Sequence, residues 1–412
     1  MITKIGAYMG GNYQIFHLSA RRLALILLIC LLSATVASAA KTPSPTVRIS
    51  AWYWLNSAPK EQWKSDFARM KQMGFTDVLI CWGVDISAVA TRKADTRQAL
   101  QWANEAGIGV YLLIWHPNAN SLPRNPKFMQ VSSTGQQLDS FDVFNPAWRS
   151  TQWKNYLSDV VRTYHDEPAL RGYAFDDSFD GPAYSYGDYE KHAFGEPLPT
   201  RPGEPRWDEW VKIRQGWWED WAKDTVSYIR AADPDMSHEI YIEDIVSSIA
   251  DPKLAASHGL DFARVAKHFD SVGGYDEPGW TDASDSNAQV AKATSNDIDS
   301  IRSIVGPDKN ITYTFWCANA AEERKLGPAV HPTALEIKVV CQVALKKGIR
   351  HLDMYGYRIG DYEVGNQDPT KVVPPEPSPY ELTGQFPRKF LWDRLNIQKE
   401  LGIYLRGLNS QK

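Results

Sequence analysis

Short apolar segments alternate with longer amphipathic segments along the chain from residue 47 onward. The apolar segments are rich in β-branched and aromatic residues, which predicts strands, whereas the amphipathic segments repeat their apolar positions every three to four residues, which predicts helices. In chain order the predicted strands are VRISAWYW, TDVLICW, GVYLLIWH, LRGYAFDD, HEIYIED, DSVGGYDEP, NITYTFWC and RHLDMYGY. The predicted helices cover 60–74, 92–107, 145–161, 207–232, 262–269, 287–305, 333–347 and 390–406.

The regular order of one strand and one helix predicts parallel strands, because a helix between two strands carries the chain back to the same end of the sheet through a right-handed crossover. Eight such units fit a closed (β/α)8 TIM barrel, and we assign residues 40–412 to one α/β domain of this kind. The alternative is an open doubly wound sheet. The first strand-to-helix turn lacks the glycine-rich phosphate-binding sequence that such sheets often carry.

The N-terminal segment has the pattern of a secretory signal peptide. Arg21 and Arg22 precede an apolar run over 23–32, and the small residues ASA at 37–39 fit a cleavage site. The apolar run is short for a membrane span, so an uncleaved anchor is the minority alternative. We therefore predict a signal peptide over 1–39 and a secreted or periplasmic protein that leaves the membrane after cleavage.

The composition narrows the possible partners. The 412 residues carry a formal net charge of −4 and no long basic run, which argues against nucleic-acid binding. The chain contains 16 Trp and 19 Tyr, and rings at the mouth of a site stack on flat ligand faces. After cleavage Cys81, Cys317 and Cys341 remain, and their odd number and wide spacing indicate neither a disulfide framework nor a metal motif. We expect no cofactor, and the oligomeric state is open.

The two ends of the predicted strands differ in chemistry. The N-terminal ends carry plain residues such as Thr76 and Gly109, whereas the C-terminal ends, where barrel enzymes place their active sites, carry carboxylates and aromatic rings. The candidate catalytic residues are Asp176, Asp177, Glu243, Asp276 and Glu277. The candidate substrate-binding residues are Trp52, Trp54, Trp82, Trp115, His116, Trp280, Trp316, Tyr355, Tyr357 and Arg358.

Three long connections follow predicted strands on this same face, over 117–144, 178–206 and 358–381. They are rich in Gly, Pro and Asn, and loops of that length in a compact domain usually serve function or are disordered. The tryptophans of the 207–232 segment recur within a helix, so we assign them to packing.

Alternation along each strand predicts which carboxylates enter the barrel. The bulky apolar residues of the fourth strand face the helices, which places Asp176 on the barrel side and makes it the preferred reacting carboxylate. The same reasoning turns Glu243 inward on the fifth strand and places Asp353 deeper, as a structural carboxylate, on the eighth. The sixth strand leaves Asp276 and Glu277 undecided.

Carboxylates and aromatic rings at one barrel mouth suit glycoside hydrolysis. That reaction needs a protonated carboxyl group to assist the leaving oxygen and an ionised one to attack the sugar or activate water. Adjacent strands lie about 4.8 Å apart, so Asp176 and Glu243 can approach closely. Asp276 is two strands from Asp176, nearer the roughly 6.5–9.5 Å separation of inverting enzymes. The sequence therefore predicts a glycosidase acting on an oligo- or polysaccharide, and leaves linkage and stereochemistry open.

The stretch from FNPAWRS to YHDEPALRGYAFDD resembles β-galactosidases and related clan A glycoside hydrolases, in which a helix leads through a His-Pro turn into the fourth strand. This resemblance implies a TIM barrel and a carbohydrate substrate. In that family the fourth strand ends Asp-Asn-Glu with the Glu as acid/base, whereas Asp176, Asp177 and Ser178 stand here. The family's nucleophilic Glu ends strand seven, whereas here Glu322 and Glu323 follow several residues later.

Carboxylates after strands four and six are similar in position to those of α-galactosidase-type barrels, in which the first attacks and the second protonates. That likeness implies Asp176 or Asp177 as nucleophile and Asp276 or Glu277 as acid/base. Two alternatives stay open. One is a catalytically degenerate barrel that binds carbohydrate. The other is a metal-dependent sugar isomerase or aldolase that uses His351 and carboxylates of strands five and six, although no spaced ligand motif is present.

Overall fold

Eight parallel strands close into a barrel in the computed structural model, which describes residues 46–55, 60–81, 90–115, 122–176, 185–242, 259–276, 287–316, 333–355 and 395–410. The strands are β1 Arg48–Trp54, β2 Asp77–Cys81, β3 Gly109–Trp115, β4 Met129–Val131, β5 Gln137–Phe141, β6 Leu170–Asp176, β7 Ser237–Ile242, β8 Ser271–Asp276, β9 Asn310–Trp316 and β10 His351–Tyr355. The order around the barrel is β1-β10-β9-β8-β7-β6-β3-β2, and β4 pairs with β5 in a separate hairpin. The predicted (β/α)8 barrel is confirmed, and the open sheet is excluded.

Helices connect the barrel strands at the predicted places. They are α1 Lys60–Met73, α2 Ala90–Ala106, α3 Lys154–Tyr164, α4 Asp188–Phe194, α5 Trp207–Ala232, α6 Phe262–Ala266, α7 Asn287–Val305, α8 Ala334–Lys346 and α9 Leu395–Ser410. A short helical turn, Pro146–Trp148, and a π-helical turn, Arg149–Trp153, lead into α3. Within the described ranges we find no helix with the length and apolar character needed to cross a membrane.

Alternate side chains of each strand pack outward against the helices and form the larger of two cores. On β6 these outward residues are Tyr173 and Phe175, as the alternation predicts. The helix tryptophans belong to this core. Trp153 stacks on Trp221 with ring centroids 6.5 Å apart, and Trp218 meets Trp221 nearly edge-on at 5.8 Å. Buried rings of this size contribute much of the apolar area that holds helices to the barrel.

Two of the long connections predicted as irregular loops contain secondary structure. The connection after β3 folds into the β4–β5 hairpin, and the connection after β6 contains α4. The N–H of Tyr186 donates to the carbonyl oxygen of Val131 at 2.8 Å, so the two connections hydrogen-bond to each other. The hairpin strands are short and polar, and no apolar run marks them in the sequence. The third connection, 358–381, lies outside the described residues.

A buried pair of carboxyl groups, Asp142 and Glu190, lies where these two connections meet. Glu190 is fully buried, and one of its oxygens accepts the N–H of Gly187 at 3.0 Å. Asp142 accepts the N–H of Phe144 at 3.2 Å. Burial raises the pKa of Asp142 well above its usual value, and the charge of Glu190 and a hydrogen bond between the two acids raise it further.

Candidate active site

Asp176 is the last residue of β6 and is buried, with 3% of its surface exposed. It shares its strand face with Ala174, which belongs to the inner core of the barrel. The register pairs it with Trp115 at the end of β3. The predicted inward face of Asp176 therefore agrees with the fold, and the carboxylate lies at the C-terminal end of the barrel, where enzymes of this architecture act.

Aromatic rings from other strands pack together in the lumen of the barrel. Trp52 contacts Tyr355 with ring centroids 5.0 Å apart, Tyr241 at 5.2 Å in an edge-on arrangement, and Trp54 at 6.1 Å. Such tilted and edge-on pairs contribute about 0.5–1.5 kcal/mol each beyond the buried area. We call Trp52, Trp54, Tyr241 and Tyr355 the aromatic floor.

Glycines make room for rings inside the barrel. A Cβ atom at Gly273 of β8 would lie 2.5 Å from Cδ1 of Tyr241, and one at Gly172 of β6 would lie 2.7 Å from Cε1 of Tyr111. Each glycine lies on the strand next to the ring it accommodates, and a larger residue at either position would overlap that ring.

A chain of polar side chains lies beneath the aromatic floor. Nε1 of Trp52 donates to Oδ2 of Asp353 at 2.5 Å, and Oγ of Ser50 donates to Oδ1 at 2.5 Å. Oγ1 of Thr314 also donates to Oδ2, at 3.2 Å. Nε2 of His351 lies 2.8 Å from Oγ of Ser50. The predicted role of Asp353 as a buried structural carboxylate fits these contacts.

A charged pair crosses the lumen one layer deeper. Nη1 of Arg48 lies 2.5 Å from Oε1 of Glu239, and Nδ1 of His351 lies 3.5 Å from the same oxygen. Burial acts to raise the pKa of Glu239, but the charges of Arg48 and His351 outweigh it and lower that pKa to about 2. The Arg48 guanidinium also lies over the ring of Tyr111, 4.0 Å from its centroid. Glu239 is therefore an ionised, fully paired carboxylate.

The N-terminal ends of the strands carry charged residues. The prediction that these ends are plain was wrong. Asp77, which is fully buried, lies 3.1 Å from Nη1 of Arg171 and 3.7 Å from Nε of Arg48. A Cβ atom at Gly109 would lie 2.1 Å from Nε of Arg171, so the glycine there leaves space for the ion pair. The sequence does not reveal these ion pairs, because each charged residue lies near the start of an apolar strand and its partner lies on another strand.

The register of the sixth barrel strand, β8, gives the backbone neighbours of its last two residues. Tyr275 pairs with Thr314 and Asp276 pairs with Phe315. The role predicted for Asp276 stays a prediction. Trp316 pairs with Tyr355, which belongs to the aromatic floor.

Several predicted site residues lie outside the described part of the chain. Among the candidate catalytic residues these are Asp177, Glu243 and Glu277. Among the candidate substrate-binding residues these are Trp82, His116, Trp280, Tyr357 and Arg358. The roles assigned to them stay predictions. Cys81 and Cys341 are buried, as expected for small apolar side chains.

The geometry of His351 bears on the alternative of a metal-dependent barrel. Its Nε2 lies 2.8 Å from Oγ of Ser50 and its Nδ1 lies 2.7 Å from Oγ1 of Thr312, so both ring nitrogens already have partners. Within the described residues we find no group of three or more His, Cys, Asp or Glu side chains that could hold a metal ion. His351 is thus built into a hydrogen-bond chain and is not oriented as a ligand.

Comparison with known proteins shows similarity at the level of the fold. No protein-family model matches the chain, and no curated protein matches it by sequence. A β-galactosidase from the psychrophilic Marinomonas ef1 superposes with a TM-score of 0.61 and 10% identity, over 88% of this chain and 59% of that one. A GH42 β-galactosidase from G. stearothermophilus gives 0.61 and 14%, over 90% and 58%. The chain has the barrel fold of these glycoside hydrolases.

A second kind of glycoside hydrolase matches over nearly its whole length. The PgaB (BpsB) glycoside hydrolase domain from Bordetella bronchiseptica superposes with a TM-score of 0.52 and 14% identity, over 79% of this chain and 97% of that domain. By contrast, this chain spans only about three fifths of the two β-galactosidases. The shared part is the barrel.

Proposed function

We propose that this protein is a glycoside hydrolase that cleaves O-glycosidic bonds of an oligo- or polysaccharide at the C-terminal mouth of the barrel. One observation carries the proposal. The Asp176 carboxyl group ends the fourth barrel strand on the lumen side, at the same C-terminal end of the barrel at which β1 ends with Trp54 and β10 ends with Tyr355. The barrel fold shared with β-galactosidases and the PgaB domain supports the same class.

In the proposed mechanism Asp176 is the reacting carboxylate. Hydrolysis needs a second carboxyl group on the other side of the scissile bond. The candidates are Glu243 on the fifth strand and Asp276 or Glu277 at the end of the sixth. Ser178 stands where clan A enzymes have their acid/base Glu, so the partner of Asp176 comes from another strand.

The decisive test is cleavage of a glycan panel that contains α- and β-linked plant and bacterial oligosaccharides, with products followed by mass. Removal of a reacting carboxylate lowers kcat by several orders of magnitude, so Asp176→Asn should abolish turnover. The variants Glu243→Gln, Asp276→Asn and Glu277→Gln should identify the partner. Asp139→Asn is the matched control, because Asp139 lies at the surface in an ion pair with Arg124.

The outcomes separate the enzyme from a carbohydrate-binding barrel. Turnover that is lost in Asp176→Asn and retained in Asp139→Asn supports the proposal. Unchanged turnover in Asp176→Asn contradicts it. A wild-type protein that cleaves no glycan, yet melts at a higher temperature with one of them, is a binding protein, since a ligand that binds only the folded state stabilises it.

We also propose that the protein is exported and that residues 1–39 are removed. The basic residues, apolar run and ASA sequence support this proposal. The intact mass of the protein recovered from the periplasm or medium of an expressing bacterium should correspond to a chain that begins at Ala40. Recovery of the full-length chain from the membrane fraction would instead indicate an anchor.

A further inference from the structure

The indole N–H of Trp52 does not point toward the barrel mouth but down into the lumen. It donates to Oδ2 of Asp353 at 2.5 Å, and both residues are fully buried. The same indole ring contacts Tyr355 at 5.0 Å and Trp54 at 6.1 Å. The orientation of Trp52 therefore fixes the rings that lie nearest to the mouth.

The hydrogen atoms beneath Trp52 can be assigned by counting donors. Indole Nε1 can only donate, and Ser50 has one hydroxyl proton. A carboxylate at Asp353 accepts from Trp52 and Thr314 at Oδ2 and from Ser50 at Oδ1. Because Ser50 gives its proton to Asp353, its oxygen must accept from Nε2 of His351, 2.8 Å away. His351 therefore carries a proton on Nε2.

The other ring nitrogen of His351 has partners of its own. Its Nδ1 lies 2.7 Å from Oγ1 of Thr312 and 3.5 Å from Oε1 of Glu239. Neither contact involves Nε2, so the proton on Nε2 follows from the bond to Ser50.

We propose that Asp353 is a positioning residue, which fixes Trp52, and through it the aromatic floor, by a directed chain that runs from the Nε2–H of His351 through Ser50 to Asp353. Hydrogen bonds to a charged acceptor are shorter and about twice as strong as neutral ones, so the bond from Nε1 of Trp52 to Asp353 restrains the ring plane in addition to packing. The consequence for sugar binding rests on the function proposed above, whereas the chain itself does not.

The substitution Asp353→Asn reverses the chain without changing its shape. An asparagine amide group that faces Ser50 donates to it, so Ser50 must turn its own proton toward Nε2 of His351, which then accepts and carries no proton. Side-chain nitrogen NMR of the histidine and the indole N–H resonance of Trp52, assigned with Trp52→Phe, report both changes. We expect the proton of His351 to lie on Nδ1 in place of Nε2, and an upfield shift of the Trp52 proton, because its acceptor loses its charge.

Thr314→Val is the matched control, because it removes a longer bond to Oδ2 of Asp353, at 3.2 Å, and leaves the chain in place. Nε2 of His351 should keep its proton in that variant. A folded Asp353→Asn protein in which both the Nε2 signal of His351 and the Trp52 proton are unchanged would overturn the proposal. If Asp353→Asn does not fold, Ser50→Ala decides, because it removes the acceptor of the Nε2–H of His351. An unchanged Nε2 signal there overturns the proposal equally.

The activity readout separates this proposal from the proposed function. With a cleaved glycan, Asp353→Asn should raise KM by about tenfold or more, the factor that one hydrogen bond to a charged group is worth, with a smaller effect on kcat. If the NMR changes occur in a protein that cleaves no glycan, the chain is established and the glycosidase proposal fails. If glycans are cleaved and the NMR signals do not change, the glycosidase proposal is supported and the hydrogen-bond chain is refuted.

Discussion

The Arg48–Glu239 pair offers the sharpest test of how this barrel is stabilised. The perturbation is Glu239→Gln, which keeps the shape of the side chain and removes its charge. Glu239 is fully buried, and its loss leaves Arg48 and His351 without their common counter-charge. Breaking a buried ion pair on one side typically costs about 3–5 kcal/mol.

The pKa of Glu239 gives an independent estimate of the same quantity. A fall from the usual value of 4.5 to about 2 corresponds to about 3 kcal/mol of folding free energy. Because the pKa is lower in the folded state, this stabilisation is complete above about pH 5 and is lost as the pH falls toward 2. The variant has no such carboxyl group, so the difference between the two proteins should shrink over that interval.

The assay is urea unfolding of the wild type and of Glu239→Gln at pH 7 and at steps down to pH 3. Glu105→Gln serves as the control, since Glu105 pairs with Lys64 at the surface and such pairs contribute less than about 1 kcal/mol. A variant within about 1 kcal/mol of the wild type at pH 7 would refute the reasoning. So would a stability difference that stays constant as the pH falls.

Two further substitutions test the packing and the acid pair. Gly273→Ala should destabilise the barrel by about 1–3 kcal/mol in thermal or urea unfolding, because the new methyl group meets the Tyr241 ring, whereas Gly407→Ala has open space and should cost nothing. Asp142→Asn should stabilise the protein above about pH 5, by about 1–3 kcal/mol, because the raised pKa of Asp142 means that the stability it contributes at low pH is lost as the pH rises. A difference in stability between Asp142→Asn and the wild type that does not grow between pH 4 and 8 would contradict the raised pKa of Asp142.

The alternation of strand and helix segments was enough to predict the barrel. The alternation of side chains within the fourth strand was enough to predict that Asp176 faces the lumen. Both depend on local periodicity, because a strand that buries bulky residues on one side must turn its other positions to the opposite side. The same rule placed Asp353 inside the lumen. It gave no answer for Asp276, whose position depends on which residue of the neighbouring strand it pairs with.

The sequence by itself therefore determined the order of the barrel strands, most of the helices and the inward face of Asp176. Only the tertiary structure decided which charges meet inside. Arg48 and Glu239 are 191 residues apart, and Ser50 and Asp353 are 303 apart. Closure of the sheet into a barrel brings these residues together, and no local sequence pattern indicates which residues meet when the sheet closes. The chain from His351 to Trp52 exists because barrel curvature, set by all eight strands at once, aligns their inward positions in common layers.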